Sequence, residues 1–326
     1  MLEKALAQGE TSHAYLLVGS PQVGKGTLAL NLAQALNCRE DAPPCGECSS
    51  CRRIAAGLHP DVQSISLMGE GARGRPRVEI GIDVIRELQR SAALNPFEGR
   101  CRVFIIDGAE RLSTDAANCL LKTLEEPPPQ VVLVLLASDT NSLLPTVLSR
   151  CQRVELLPLP REAVQAALES RWGAEREKAR LLASLCQGRL GWAVAALQDS
   201  QVLQSYQEER DRLAGLVWEA LGPRLAQADD LSRRAREGLN RAFAAWLGWW
   251  RDLLLVKGGA AGALVNLDAE DELKRQAEAL SLGEVFGFVR SLVRAQEDLG
   301  LNVNHQLCVE ALMLQLPRLE RAAAAS

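Results

Sequence analysis

A glycine-rich loop at residues 18–27 (VGSPQVGKGT) has the residue types and the spacing that bind phosphate. It lies between an apolar run typical of a buried strand and a stretch with helical periodicity. Gly19 and Gly24 allow backbone N–H groups to turn toward a phosphate, and Lys25 adds positive charge at a helix N-terminus that already favours anions. We expect a phosphate-binding loop; a glycine turn that merely joins a strand to a helix is the alternative.

The loop departs from the usual magnesium-binding pattern at one position. Gly26 follows the complete pattern GxxxxGK where Ser or Thr normally binds Mg²⁺, and Thr27 comes one residue later. Nucleoside monophosphate kinases also carry the run GKGT, so the loop remains compatible with phosphate. The sequence therefore predicts phosphate binding and leaves hydrolysis open.

A carboxylate is expected beside this loop at the end of the run 102–107 (RVFIID). The run is nearly all apolar, which is typical of a parallel strand buried on both faces. Ligands bind at the carboxyl ends of such strands, so Asp107 is placed to orient Mg²⁺ and its water. In ATPases of this kind the next residue is an acid that polarises the attacking water. Here Gly108 takes that position, and the acid appears later, as Glu110.

Four of the nine cysteines fall in one short segment with the spacing C-x6-C-x2-C-x2-C. Four thiolates at this spacing can surround Zn²⁺ as a tetrahedron, and a site without an open position is structural rather than catalytic. Reduced, buried cysteines in a loop are the alternative. Arg52 and Arg53 are expected to offset the charge of the centre, and His59 is expected to be a turn residue. The candidate ligands are Cys38, Cys45, Cys48 and Cys51.

The composition is that of an ordinary globular protein large enough for two or three domains. The chain has 326 residues, of which 47% are apolar and 24% charged. Its net charge of −4 indicates that nucleic acid is not held by overall charge. No apolar run reaches the roughly 20 residues of a membrane span, and the first residues lack a signal-peptide pattern. We therefore expect a cytoplasmic protein without membrane contact.

The predicted secondary structure that must position these residues changes near residue 160. Before it, strands alternate with helices, which predicts a parallel sheet covered on both faces. After it, only helical patterns follow, with breaks near Gly173, at 188–191, at Gly222-Pro223, at 258–262 and at 300–304. Trp246, Trp249 and Trp250 recur at helical spacing, and we expect them in a core. The predicted domains are 1–159, 160–201 and 202–326.

Three shorter features complete the predictions. Residues 2–7 are expected to form a short helix, and 322–326 a frayed tail. The glycine-rich segment 68–77 carries Arg73, Arg75 and Arg77. A solvated loop is favoured there over a DNA contact.

Several motifs together resemble the AAA+ subunits of the bacterial DNA polymerase III clamp loader. The motifs are HAYL from His13, the four-cysteine insertion, ANCLLKTLEEPP at 117–128 and LSRC at 148–151. The resemblance is strong over residues 10–160. The remainder of the chain agrees with the family in being all-helical. It implies an α/β AAA+ P-loop module with helices on both faces of a parallel sheet. A small helical lid and an all-α C-terminal collar domain would follow.

Within this family the chain is most similar to the δ′ subunits rather than to the γ/τ motors. Besides Gly26 and Gly108, Gly191 falls where the lid of a motor places an arginine, and Arg189 is offset from that position. The segment before the loop is also short for covering adenine. These departures imply weak nucleotide binding at best and little hydrolysis. Any ATP and Mg²⁺ would be bound by Gly19, Gly24, Lys25, Gly26, Thr27 and Asp107.

The resemblance gives Arg150, in the SRC motif, a catalytic role. In this family that arginine reaches across a subunit boundary to the γ-phosphate bound by the neighbour. Such fingers contribute roughly 10³ to 10⁵ in rate in other systems. A surface or helix-capping arginine is the alternative. Ser149 and Cys151 are expected to support the finger rather than react.

The implied function is support of ATP-dependent loading of the sliding clamp onto primed DNA. The implied partners are the γ/τ and δ subunits in a ring of five, with the clamp and the DNA contacted through the complex. Two alternatives remain. One is an ATP-hydrolysing γ/τ-type motor; the other is a P-loop nucleotide kinase, which the run GKGT alone suggests.

Overall fold

The computed structural model describes residues 2, 6, 11–67, 79–141, 143–234, 236–299 and 303–320. The basic loop at 68–77 and the tail at 322–326 lie outside the described residues, as does most of the predicted helix at 2–7. Contacts divide the chain into two compact units. The first is Met1–Leu159 with Arg189–Gly191, and the second is Pro160–Gly188 with Trp192–Ser326. The predicted three-part division stays a prediction.

The first unit is built on five parallel strands in the order β2-β3-β4-β1-β5. Every residue of β1 and β4 is buried, as expected for strands covered on both faces. The predicted parallel α/β sheet is confirmed. The strands are β1 Ala14–Val18, β2 Val62–Ile65, β3 Arg102–Asp107, β4 Val131–Ala137 and β5 Gln152–Glu155.

Helices cover both faces of this sheet. One apolar cluster joins alternate strand residues to Ile85 and Leu120 on one face, and another joins the remaining strand residues to Leu32 and Ile54 on the other. The helices of this unit are α1 Lys25–Asn37, α2 Ser49–Ala55, α3 Ile82–Ala92, α4 Thr114–Glu125 and α5 Pro145–Leu148.

Local signals place the ends of α4. The Ser113 hydroxyl accepts a hydrogen bond from the Ala116 N–H at 3.1 Å and caps the helix. The helix ends at Glu125, two residues before a run of three prolines that cannot continue it. The helix therefore runs from Thr114 to Glu125 and ends on a carboxylate side chain.

Beyond residue 160 the described residues are helical and contain no strand. None of the described helices is both long enough and apolar enough to cross a membrane. The helices are α6 Arg161–Trp172, α7 Arg176–Leu185, α8 Leu190–Gln198, α9 Ser200–Gly215, α10 Leu221–Ser232, α11 Arg236–Lys257, α12 Glu270–Ala279, α13 Leu282–Asp298 and α14 His305–Gln315.

The three tryptophans of α11 form the centre of the second unit's core. Trp246, Trp249 and Trp250 are each 1% exposed or less. The Trp246 ring packs edge-on against Phe288 of α13, with ring centroids 5.2 Å apart. Their prediction as core residues is confirmed.

The predicted break at Gly222-Pro223 is wrong. Both residues lie in the first turn of α10, which begins at Leu221. Proline is tolerated there because the first N–H groups of a helix have no intrahelical partner. The chain instead breaks just before, in a 3₁₀ turn at Leu216–Trp218.

Candidate functional site

The glycine-rich loop joins β1 to α1 and folds around its own lysine. Lys25 is 9% exposed, and its ammonium Nζ donates to the carbonyl oxygens of Gly19 at 2.5 Å and Ser20 at 3.0 Å. Gly24 has φ 112°, which other residues rarely adopt. Burial lowers the pKa of Lys25, while the charges of Glu110 and Asp107 act to raise it. The loop thus holds the Lys25 side chain against its own carbonyls, with two acids nearby.

The displaced acid Glu110 lies at the same end of the sheet as Asp107. Gly108, with φ 79°, starts a 3₁₀ turn at Ala109–Arg111 that carries Glu110 back toward the strand ends. The Glu110 Oε1 accepts a hydrogen bond from the Ser138 N–H, just after β4, at 3.3 Å. Its Oε2 is buried and has no hydrogen-bond partner among the described residues. The structure therefore brings together the two acids that the sequence separated.

Three of the residues on which the predicted weak nucleotide binding depends lie around the loop, and that prediction stays a prediction. Gly26 and Thr27 are exposed in the first turn of α1. The N–H of Gly191 donates to the Gln22 carbonyl at 2.9 Å, and a Cβ at Gly191 would approach that oxygen to 2.8 Å. Residue 191 therefore lies against the loop, and its glycine permits this close approach.

The four cysteines of the spacing motif converge. The sulfur atoms of Cys38, Cys45, Cys48 and Cys51 all lie within 4.8 Å of one another, and Cys45 and Cys51 are 3.9 Å apart. In a tetrahedral zinc site with Zn–S bonds of about 2.3 Å, neighbouring sulfurs are about 3.8 Å apart. The donor set and its spacing fit a metal ion bound by four thiolates.

The environment acts in opposite directions on two thiols of this cluster. The N–H groups of Cys48 and Glu47 lower the pKa of Cys45 to about 7, whereas burial raises the pKa of Cys51 to about 12. The Cys48 sulfur also accepts from the Cys51 N–H at 3.5 Å and caps α2. The cluster is thus part of the start of a helix.

The residues beside the cysteine cluster have other partners. His59 is buried; its Nδ1 accepts from the Asp61 N–H at 3.2 Å, and its Nε2 lies 3.4 Å from the Ser50 hydroxyl. This is the position of a turn residue, as predicted. Arg53 forms an ion pair with Glu98 at 2.5 Å, and the expectation that Arg52 and Arg53 offset the charge of the cysteine centre stays a prediction.

Arg150 lies in the turn between α5 and β5 with 34% of its side chain exposed. Its Nη1 donates to the Thr146 carbonyl at 2.9 Å and to the Ser149 hydroxyl at 3.2 Å. Its Nη2 lies 2.6 Å from Oε1 of Glu125, the last residue of α4. Ser149 thus contacts the arginine as predicted. Glu125 was missed, although the two motifs LLKTLEEPP and LSRC contain both partners.

Cys151 follows the arginine but is not set up as a nucleophile. Burial raises the pKa of its thiol to about 12, so it stays protonated near neutral pH. This agrees with the expectation that Cys151 does not react, while its support of the finger stays a prediction.

A family model of known proteins matches the part of the chain that contains these motifs. Residues 1–160 match the family model described as "DNA polymerase III, delta subunit". The stretch that matches, just under half of the chain, is similar to that family. The predicted resemblance to this group of proteins is confirmed.

Relatives of two kinds match almost the whole chain. The delta' subunit of DNA polymerase III from Bacillus subtilis (strain 168) is 29% identical over 324 residues, which cover 97% of this chain and 94% of that protein. The tau subunit from the same strain is 25% identical over 351 residues, which cover 99% of this chain but 60% of that protein. In length, the chain corresponds to the delta' relative.

Solved structures also align along nearly the full length, and one of them serves as an example. It is a DNA polymerase III gamma subunit-related protein from Thermotoga maritima, with 21% identity and a TM-score of 0.46 over 96% of this chain and 97% of that one.

Proposed function

We propose that this chain is a δ′-like subunit of a bacterial DNA polymerase III clamp loader. In this role it supports ATP-dependent loading of the sliding clamp onto primed DNA. The proposal is supported by the family domain at residues 1–160 and by the delta' relative that the chain spans almost completely. The partners are the γ/τ and δ subunits in a ring of five, and the clamp and the DNA are reached through the complex.

Arg150 carries the catalytic part of this proposal. It is an arginine that remains partly exposed at the sheet edge while its guanidinium is held by surrounding groups. A guanidinium stays charged at any physiological pH and binds phosphate oxygens in a fixed geometry. It would donate to the γ-phosphate of the nucleotide bound by the adjacent subunit and stabilise the charge that develops there.

The chain's own nucleotide loop contributes little turnover in this proposal. Gly26 removes a hydroxyl ligand for Mg²⁺, Gly108 removes the adjacent acid, and Gly191 removes a lid arginine. The Lys25 ammonium already donates to two carbonyls of the loop. Phosphate can still be bound by Gly19, Gly24, Lys25, Gly26, Thr27 and Asp107.

The cysteine cluster is proposed to hold one structural Zn²⁺. Bound there, the ion would tie the end of α1 to the start of α2 through its four thiolates. The helical domains at 160–201 and 202–326 are proposed as the lid and as part of the collar that joins the subunits.

Substitution of the arginine tests the proposal. In a complex reconstituted with Arg150→Ala, turnover at the neighbouring site should fall by about 10³-fold or more. The measurement is a rapid-quench experiment on a single round of DNA-stimulated ATP hydrolysis. The fast phase of hydrolysis, which the neighbouring subunit's site contributes, should be lost, while the complex still assembles. The matched control is Arg153→Ala, since Arg153 is also an exposed arginine in a surface ion pair, with Glu155 at 3.6 Å. An unchanged fast phase with Arg150→Ala contradicts the proposal.

The γ/τ-type motor is kept as a second candidate because of Glu110. This acid lies at the strand ends with a buried, unpartnered oxygen among the described residues. It could replace the acid missing after Asp107. Steady ATP hydrolysis by the isolated chain, abolished by Glu110→Gln, would favour the motor.

A further inference from the structure

Helix α4 ends beside Arg150 with an acidic residue, Glu125, whose negative charge is unfavourable at that end of a helix. Glu125 is the last residue of α4, where the helix dipole disfavours a carboxylate. About half of its side chain, 49%, is exposed, so packing does not require it. Its recorded partner is the Nη2 of Arg150 at 2.6 Å. The position of this carboxylate is therefore explained by the arginine rather than by the helix.

The contacts of Arg150 leave a defined set of donors. Nη1 donates to Thr146 and Ser149 on one side, and Nη2 is held by Glu125 on the other. An arginine has five N–H donors. Among the described residues, these contacts account for three of the five donors and leave the Nε–H and one Nη2–H for a further acceptor.

We propose that Glu125 is the positioning residue for Arg150. The carboxylate holds the guanidinium in one orientation, with its remaining donors available before a neighbouring subunit arrives. This inference rests on the proposed role of Arg150. Fixing a flexible side chain in advance reduces the ordering that binding must otherwise supply. An ion pair as exposed as this one is weak, so Glu125 orients the arginine without outcompeting a phosphate, which carries more charge.

The chain contains a matched control next to this residue. Glu126 follows at the same helix end, and its side chain is exposed. No hydrogen bond or ion pair of its carboxylate is found among the described residues. Glu125→Gln and Glu126→Gln therefore remove the same charge from the same place, but only the first removes a contact with Arg150.

The test uses the reconstituted complex with four variants of this chain: Glu125→Gln, Glu126→Gln, Arg150→Ala and the double variant Glu125→Gln/Arg150→Ala. The fast phase of a single round of ATP hydrolysis is followed at several ATP concentrations. Glu125→Gln should slow this phase roughly fivefold, the equivalent of about 1 kcal/mol for one exposed ion pair. The ATP concentration for half-saturation should not change, because a finger acts mainly on the transition state. Glu126→Gln should match the wild type.

The double variant distinguishes positioning from a structural role. If Glu125 acts through Arg150, the double variant should be no slower than Arg150→Ala alone. A purely structural role would instead add to the effect of Arg150→Ala and weaken assembly. If Arg150→Ala itself has no effect, the proposed function fails. If Arg150→Ala is slow but Glu125→Gln matches the wild type, the proposed function stands and the positioning inference is overturned.

Discussion

At the scale of single residues, Asp61 shows how one buried charge can fix a loop. Its side chain is fully buried and accepts hydrogen bonds from the N–H groups of Phe97, Glu98 and Gly99 at 2.7, 2.9 and 2.7 Å. Burial acts to raise its pKa, but these three N–H groups together with Arg102 bring the pKa below its ordinary value. The charged form is therefore favoured by folding.

We predict that Asp61→Asn destabilises the protein by about 2–4 kcal/mol at pH 7, because charge-assisted hydrogen bonds are replaced by weaker ones and an amide N–H₂ meets backbone donors. Since the pKa is lower in the folded chain than its ordinary value of 3.8, the stabilisation by Asp61 is present above that pH and is lost as the pH falls below it. Urea unfolding of both proteins at pH 7 and at lower pH measures this difference. A gap between wild type and variant that stays constant as the pH falls below 3.8 contradicts the account.

The cysteine site and the Arg150 site differ in how far single residues could be predicted. The four cysteines lie in one short segment, so their spacing alone indicated the cluster that the structure shows. Glu125 and Arg150 come from different elements, and their contact depends on how the end of α4 meets the turn after α5. No local pattern carries that information.

At the scale of elements, strands buried on both faces could be predicted to the residue. The bounds of β1, β3 and β4 are those of the apolar runs, since burial on both faces requires apolar side chains throughout. The edge strands β2 and β5 have only four residues each and carry exposed side chains. Their ends depend on backbone pairing with a single neighbour, which side chains do not encode.

A capping interaction that the sequence analysis missed defines the start of α13. The Ser281 hydroxyl accepts from the Glu284 N–H at 3.2 Å, and the Glu284 carboxylate accepts from the Ser281 N–H at 2.8 Å. These bonds satisfy two donors that a helix start otherwise leaves open. The hydrogen bonds from Ser281 also lower the pKa of Glu284.

We predict that Ser281→Ala lowers the free energy of unfolding by about 1 kcal/mol, the usual effect of removing an N-cap hydroxyl. Chemical unfolding of the full chain measures the change. The matched control is Ser291→Ala within the same helix, whose hydroxyl donates to the Gly287 carbonyl at 3.2 Å, a bond that adds little to a helix. Equal effects of the two substitutions would show that the cap is not what stabilises α13.

At the scale of the whole molecule, the charge balance limits how the chain meets DNA. The net charge is −4, with 37 basic and 41 acidic residues. Many described arginines are paired with acids, including Arg53 with Glu98 and Arg210 with Asp268. Binding of DNA by the isolated chain would therefore release few counterions, and counterion release is the main source of DNA affinity.

We predict that the isolated chain does not bind primed DNA measurably near physiological salt, whereas a reconstituted complex does. Fluorescence anisotropy of a labelled primer–template at several salt concentrations tests this. Binding by the isolated chain with a steep dependence on salt would show a basic surface that the net charge conceals.

The burial of three tryptophans in the second unit has a practical consequence for spectroscopy. All six tryptophans of the chain lie beyond residue 160, and none falls within Met1–Leu159 or Arg189–Gly191. Indole emission therefore reports on the second unit alone. A chromophoric chelator that captures the proposed Zn²⁺ on its release from the cysteine cluster would report on the first. Recording both signals during one denaturation resolves whether the two halves melt together, without adding a label to either.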